Sequence, residues 1–312
     1  MFLLKKSAYL FLQAQKSRVL ALGGYTDLVS TSVDLIEIGG SSNCPQPANL
    51  PATTFVGAVG SFAGGRPIVC GGKTPYCYSY NFKELSWVAE ASLDLARQNP
   101  GSVMIDEDNW WIAGGYGSGT YYDSSIIYDG KTRAFYPGPR LPDSLGKFCL
   151  AAINSTTYFL AGGGHAQGYV SRKAYLLDWA SETWTEVDSM QTKREHHSCN
   201  VVGNKVIVTG GFNTDVGYVG GSEAFNLETM RWGPGPDIPN ENGKLAYITA
   251  AAVTEPEGQA FRIYGGYDYA GNTDEILEYS GATGEFQVLE ERMPLARRDH
   301  IIIPLPVSDD YC

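Results

Sequence analysis

Two four-residue runs hold the densest set of groups in this chain that could move protons: Arg194-Glu195-His196-His197 and Arg297-Arg298-Asp299-His300. Together they contain three of its four histidines. Each run precedes an apolar, strand-like stretch, so each could bring one or two acid/base groups to a common cavity, which is all a simple proton transfer requires. Histidines at such strand starts are more often satisfied structural groups, and no residue is assigned a catalytic role. No His and Cys spacing fits a zinc site, and neither a phosphate loop nor a nucleophile elbow occurs. No metal and no cofactor is expected.

The elements that must position these groups repeat along the chain. Apolar runs close on a double glycine six times, in RVLALGG, PIVCGG, WWIAGG, YFLAGG, VIVTGG and FRIYGG, with first glycines Gly23, Gly71, Gly114, Gly162, Gly210 and Gly265. The period is about 50 residues, the length of one propeller blade. In five consecutive units an apolar residue is followed seven positions later by an aromatic: Tyr80 and Trp87, Tyr128 and Phe135, Leu177 and Trp184, Phe225 and Trp232, Tyr279 and Phe286. An odd spacing would put the two on opposite faces of one strand. They therefore belong to neighbouring strands, joined by turns such as NFKE, DGKT, NLET and SGATG, which carry the Asn, Asp and Gly that turns favour.

This pattern of double glycine, tyrosine-like position and tryptophan resembles the kelch repeat from about Arg18 onward. The resemblance implies an all-β fold: a six-bladed β-propeller of four-stranded antiparallel blades, strands a to d from the axis outward, with the glycines ending b. Residues 16–312 form the propeller and 1–15 a possible leader or disordered start. Inner strands precede the second to sixth double glycines, whereas the first unit has no clear one unless SAYLFLQA supplies it. The inner-strand-like HIIIPLPV near the C-terminus has no b strand after it, so it is expected to complete the first blade, close the ring and remove free sheet edges. The first unit also lacks the aromatic pair, and its outer strand is expected to be short or irregular.

Antiparallel blades send the b-to-c and d-to-a connections to one face. The loops there carry Tyr116, Tyr122, His165, Tyr169, Tyr218, Tyr267 and Tyr269, with Gly, Ser and Asn around them, a composition suited to recognition. Basic residues near the inner-strand starts, Arg97, Lys147, Arg194, Lys244 and Arg298, resemble the kelch arginine that often contacts ligands. With His197 they are expected at the mouth. The resemblance thus implies a non-enzymatic scaffold that binds a protein, peptide or glycan, an acidic partner being favoured by the ring of cations. The alternative is a sugar mutarotase or epimerase acting on a sialic-acid-like substrate, using the two runs above. A sialidase is rejected: its repeated Ser-x-Asp-x-Gly-x-Thr-Trp turn is absent, and SETWTEV keeps only Thr-Trp. The Cys, Tyr and His set of the copper oxidases cannot be placed either.

A formal charge of −11 opposes the phosphate neutralisation that nucleic-acid binding needs, so no nucleic-acid partner is expected. No apolar run approaches the roughly 20 residues of a membrane span. The chain has 6 cysteines. Cys70 and Cys77 flank one b-to-c connection and are expected to pair, while Cys149 and Cys199, in inner strands, are expected to be buried thiols. Asn154-Ser155-Thr156 is a glycosylation sequon on an a-to-b turn. These features favour an extracellular location over a cytoplasmic one.

Overall fold

A computed structural model describes residues 17–40, 43–239, 243–252, 260–306 and 308–311. The leader reading, and the strand expected in SAYLFLQA, lie outside them. Six antiparallel sheets form a six-bladed β-propeller. In blade two, strands a to d are Ala58–Ala63, Arg66–Gly71, Cys77–Asn81 and Ser86–Ala89; in blade three, Gly101–Met104, Asn109–Ala113, Ser125–Asp129 and Ala134–Gly138. Blade four has Cys149–Asn154, Thr157–Ala161, Ala174–Asp178 and Thr183–Val187, and blade five Ser198–Val202, Lys205–Thr209, Ser222–Asn226 and Arg231–Pro234. Blade six has Thr249–Ala252, Ala260–Asp268, Gly271–Ser280 and Glu285–Arg292.

Blade one is built from both ends of the chain. Its b and c strands are Ser17–Leu22 and Val33–Ile38, and its inner strand is Ile301–Leu305, paired from Leu22↔Ile301 to Arg18↔Leu305. The last strand thus closes the ring. Among the described residues this blade has three strands rather than four.

The b strands read as unbroken apolar runs because both of their faces pack against neighbouring blades. Trp110, Trp111, Ile112 and Ala113, for example, are all buried. The aromatic pairs are direct cross-strand partners, from Tyr80↔Trp87 in blade two to Tyr279↔Phe286 in blade six. In blades two to five the turns between them start on Asn or Asp, whose side chain accepts following N–H groups: Asn81 Oδ1 from Lys83 and Glu84, and Asp129 Oδ1 from Lys131 and Thr132. Each tryptophan of a d strand also ties its blade to the preceding one. Trp87, Trp184 and Trp232 donate from Nε1 to the carbonyls of Ala48, Arg140 and Asp188 at 2.8, 2.7 and 2.6 Å.

The double glycine has a specific mechanical reason, clearest in blade four. Gly162 and Gly163 both have positive φ, 67° and 100°. A Cβ on Gly162 would stand 2.6 Å from the Arg194 carbonyl oxygen of blade five. The Gly163 N–H donates to that same oxygen at 2.9 Å. Gly72, Gly115, Gly211 and Gly266 donate likewise to Arg97, Leu145, Leu245 and Arg297 of the following blade. The motif is an inter-blade bond that a side chain would block.

Cys70 and Cys77 are opposite residues of adjacent strands and form the expected disulfide, with Cα atoms 4.2 Å apart. The expectation for Cys149 and Cys199 is corrected. They are bonded to each other with Cα atoms 5.6 Å apart, because the inner strands of blades four and five converge toward the axis.

Candidate functional site

In five blades an isolated bridge ties the entering linker to that blade's own b-to-c loop: Tyr25↔Arg298, Gln98↔Tyr116, Gly146↔Gly164, Glu195↔Phe212 and Ala246↔Tyr267. The two connection types therefore share one face.

At the centre of this face one residue per blade adopts the left-handed conformation: Gly57, Asn99, Lys147, His196, Tyr247 and Asp299, with φ between 49° and 68°. For residues other than glycine this costs about 1 kcal/mol each. The cost is offset by a belt of backbone bonds. Asn99 N–H donates to Gly57, Lys147 to Asn99, His196 to Lys147, Tyr247 to His196 and Asp299 to Tyr247, at 2.6 to 3.2 Å. The belt surrounds a cavity of about 280 Å³ whose polar walls include Asn99, Lys147, His196, Tyr247 and Asp299.

The polar groups around it partner one another and Glu195. Lys147 Nζ lies 3.3 Å from Glu195 Oε1, and His196 Nδ1 lies 3.4 Å from Asp299 Oδ1. The His196 ring packs on Tyr247 with centroids 4.1 Å apart. Burial, helped by nearby Asp299, raises the Tyr247 hydroxyl to about 12, so it remains a neutral phenol.

The expected ring of cations at the mouth is corrected. Arg97 and Arg194 are 0% and 1% exposed. Arg97 donates to the Gly114 and Ser124 carbonyls at 2.8 Å, and Arg194 to the Gly210 carbonyl and Glu223 at 2.7 Å. They cap the double glycine of their own blade. The third residue of this kind is Arg297, not Arg298: it is buried, donates to the Gly23 carbonyl at 3.3 Å and pairs with Asp34. A readable signal was missed, since Leu93, Met190 and Met293 each stand four positions before the buried arginine. His197 is also buried. Its Nε2 donates to the Ala161 carbonyl, and loss of solvent lowers both His197 and His300 to about 3. Neither can exchange protons near neutral pH.

Arg298 is different. It lies over Tyr267 at 4.3 Å, Tyr25 at 5.6 Å and Tyr247 at 5.8 Å, measured to ring centroids. Among the described residues no carboxylate pairs with it; its nearest polar partner is Asn272 Oδ1 at 3.5 Å. Tyr218 packs on Tyr267 and Tyr269, and Lys244 sits 5.4 Å over Tyr269. Arg298, Lys244, Tyr218, Tyr267 and Tyr269 thus form one patch over blades five, six and one. The remaining expected residues lie elsewhere on the face. Tyr116 packs at a tilt against Tyr121, Tyr122 faces the Arg97 guanidinium, and His165 stacks on the exposed Tyr169. Asn154 is exposed on its a-to-b turn. Among the described residues no group of three His, Cys, Asp or Glu is placed to hold a metal ion.

The chain matches no family model. It is similar to Kelch-like protein 41b of Danio rerio, at 25% identity over 170 residues that make up 54% of this chain and 27% of that protein. It is similar to an F-box/kelch-repeat protein of Arabidopsis thaliana, 27% over 150 residues, 47% of this chain and 33% of the relative. It is also similar to Kelch domain-containing protein 10 of Xenopus laevis, 29% over 205 residues, 64% of this chain and 39% of the relative. The matched part is well under half the length of each relative.

Proposed function

Because this chain is a kelch-repeat β-propeller, we propose that it is a non-enzymatic scaffold whose loop face binds a protein or peptide through an acidic side chain. The observation that carries this reading is Arg298, a guanidinium held among three tyrosine rings with no carboxylate paired to it among the described residues. A cation fixed in this way meets a partner carboxylate with little further ordering, and the neighbouring tyrosines supply rigid contact area. The expected face is blades five, six and one rather than the whole ring. An extracellular location is proposed with it, on the Cys70–Cys77 and Cys149–Cys199 disulfides and the exposed sequon at Asn154.

Selection of a random displayed peptide library on the intact protein tests the binding reading. Peptides rich in Asp and Glu should be enriched, and Arg298→Ala should weaken the best of them by roughly 1.5 to 3 kcal/mol without lowering the melting temperature. Enrichment indifferent to acidic residues, or affinity unchanged in Arg298→Ala, would overturn it. The mutarotase alternative would rest on His196 and Asp299, since His197 and His300 stay neutral. Anomeric interconversion accelerated by the protein would displace the scaffold reading in its favour.

A further inference from the structure

The a-to-b and c-to-d turns emerge opposite the loop face, where the turn of one blade leans on the outer strands of the blade before it. Each c-to-d turn places one residue in the left-handed region at the same point, Arg133 in blade three and Glu182 in blade four, with φ of 58° and 52°. Arg133 reaches into blade two, where its guanidinium bonds both oxygens of the buried Glu90 at 2.8 and 2.5 Å. Ser79 and Tyr128 donate to the same carboxylate. That interface is closed by an arginine from the chain itself.

Between blades three and four the same position is vacant. Counting from the aromatic pairs, Ile127 and Gly138 stand where blade two has Ser79 and Glu90. Glu182 is exposed and in no ion pair among the described residues. What remains is a cavity of about 360 Å³ walled by Tyr136, Pro137, Pro139 and Trp179, with Asp106 and Glu182 and with no Lys or Arg in its lining. The walls are held in place. Tyr136 donates to Asn109 Oδ1 at 3.0 Å, and the Asp106 carboxylate accepts from the Asn109 side chain and from the N–H groups of Asp108 and Asn109. Lys131, which acts on Asp106 electrostatically, does not line the groove and is engaged by Asp108 at 2.5 Å.

We infer that this groove between blades three and four receives the basic side chain, arginine or lysine, of a partner protein. Two aromatic rings, the Glu182 carboxylate with no ion pair among the described residues, and the Asp106 carboxylate bonded to uncharged N–H groups are what a guanidinium or ammonium seeks, and Arg133 provides the internal precedent one blade earlier. The inference concerns the face opposite Arg298 and stands independently of the loop-face reading.

Ligand-observed NMR on the full chain tests it, with N-acetyl-arginine amide as probe and the uncharged N-acetyl-citrulline amide as its counterpart. The arginine probe should bind in the millimolar range and the citrulline probe should not. Glu182→Arg supplies in cis what Arg133 supplies next door, and should weaken the arginine probe at least tenfold without lowering the melting temperature. Should that variant fail to fold, Glu182→Gln carries the test, with a loss of at least threefold expected. No binding at millimolar probe, equal binding of citrulline, or affinity unchanged by the Glu182 substitution overturns the inference, the last by showing only general attraction to an acidic surface.

Discussion

Arg194 and Arg298 carry the same charge on equivalent linkers, and their neighbours give them opposite tasks. Burial pushes the Arg194 guanidinium down, but Glu223 and the Gly210 carbonyl hold it in place, so removing it would leave a carboxylate unpaired in the interior. Among the described residues Arg298 is met by three ring faces and the Asn272 amide, with no carboxylate in an ion pair. The buried histidines make the residue-scale prediction. His197 and His300 titrate near 3 when folded against an ordinary 6.5. Below pH 6.5 the unfolded chain binds more protons than the folded one, so stability is full above that pH and falls as pH drops toward 3. At pH 5 the loss should be roughly 2 kcal/mol per histidine. Urea unfolding between pH 7.5 and 5 measures it, and a flat midpoint over that interval would contradict the burial of both rings.

At the scale of strands, the Cys70–Cys77 and Cys149–Cys199 disulfides do different work. Cys70–Cys77 joins adjacent strands within one blade at a sequence separation of 7, so it chiefly fixes the shape of a short loop. Cys149–Cys199 spans 50 positions and staples two inner strands beside the axis. By loop-closure entropy the second should contribute about 3 to 5 kcal/mol, well above the first. Non-reducing peptide mapping of protein from a secretory host should recover both linked peptides, with reduction lowering the melting temperature. Freely alkylated thiols at these four positions would remove the support for an extracellular location.

For the whole molecule, closure is the central fact. Ile301–Leu305 gives blade one its inner strand, and Arg18 holds the following segment through the Ser308 carbonyl at 3.1 Å. Deleting residues 297–312 removes that strand together with the Arg297 cap on Gly23. The deletion should leave the b strand of blade one with an open edge and abolish cooperative melting of the ring. A truncated protein that melts like the full chain would show that the ring does not depend on this strand.

The repeat, its aromatic pairs, the five inner strands of blades two to six and the closing strand were all legible in the sequence. Each depends on local periodicity or on chemistry that recurs once per blade, such as the Asn81 and Asp129 turns. Charge location was legible only in part. Arg297 and Arg298 are neighbours of identical type; the apolar residue four positions earlier marks Arg297 as the inward one, but what it caps, the Gly23 carbonyl, and where Arg298 then lies, over Tyr267, follow only from the packing of the double glycines. The Cys149–Cys199 bond, the His196–Asp299 contact and the Glu182 groove likewise join residues of different blades. Spacing along one strand says nothing about such pairs, because the angle between blades, which brings them within reach, exists only once the ring has closed.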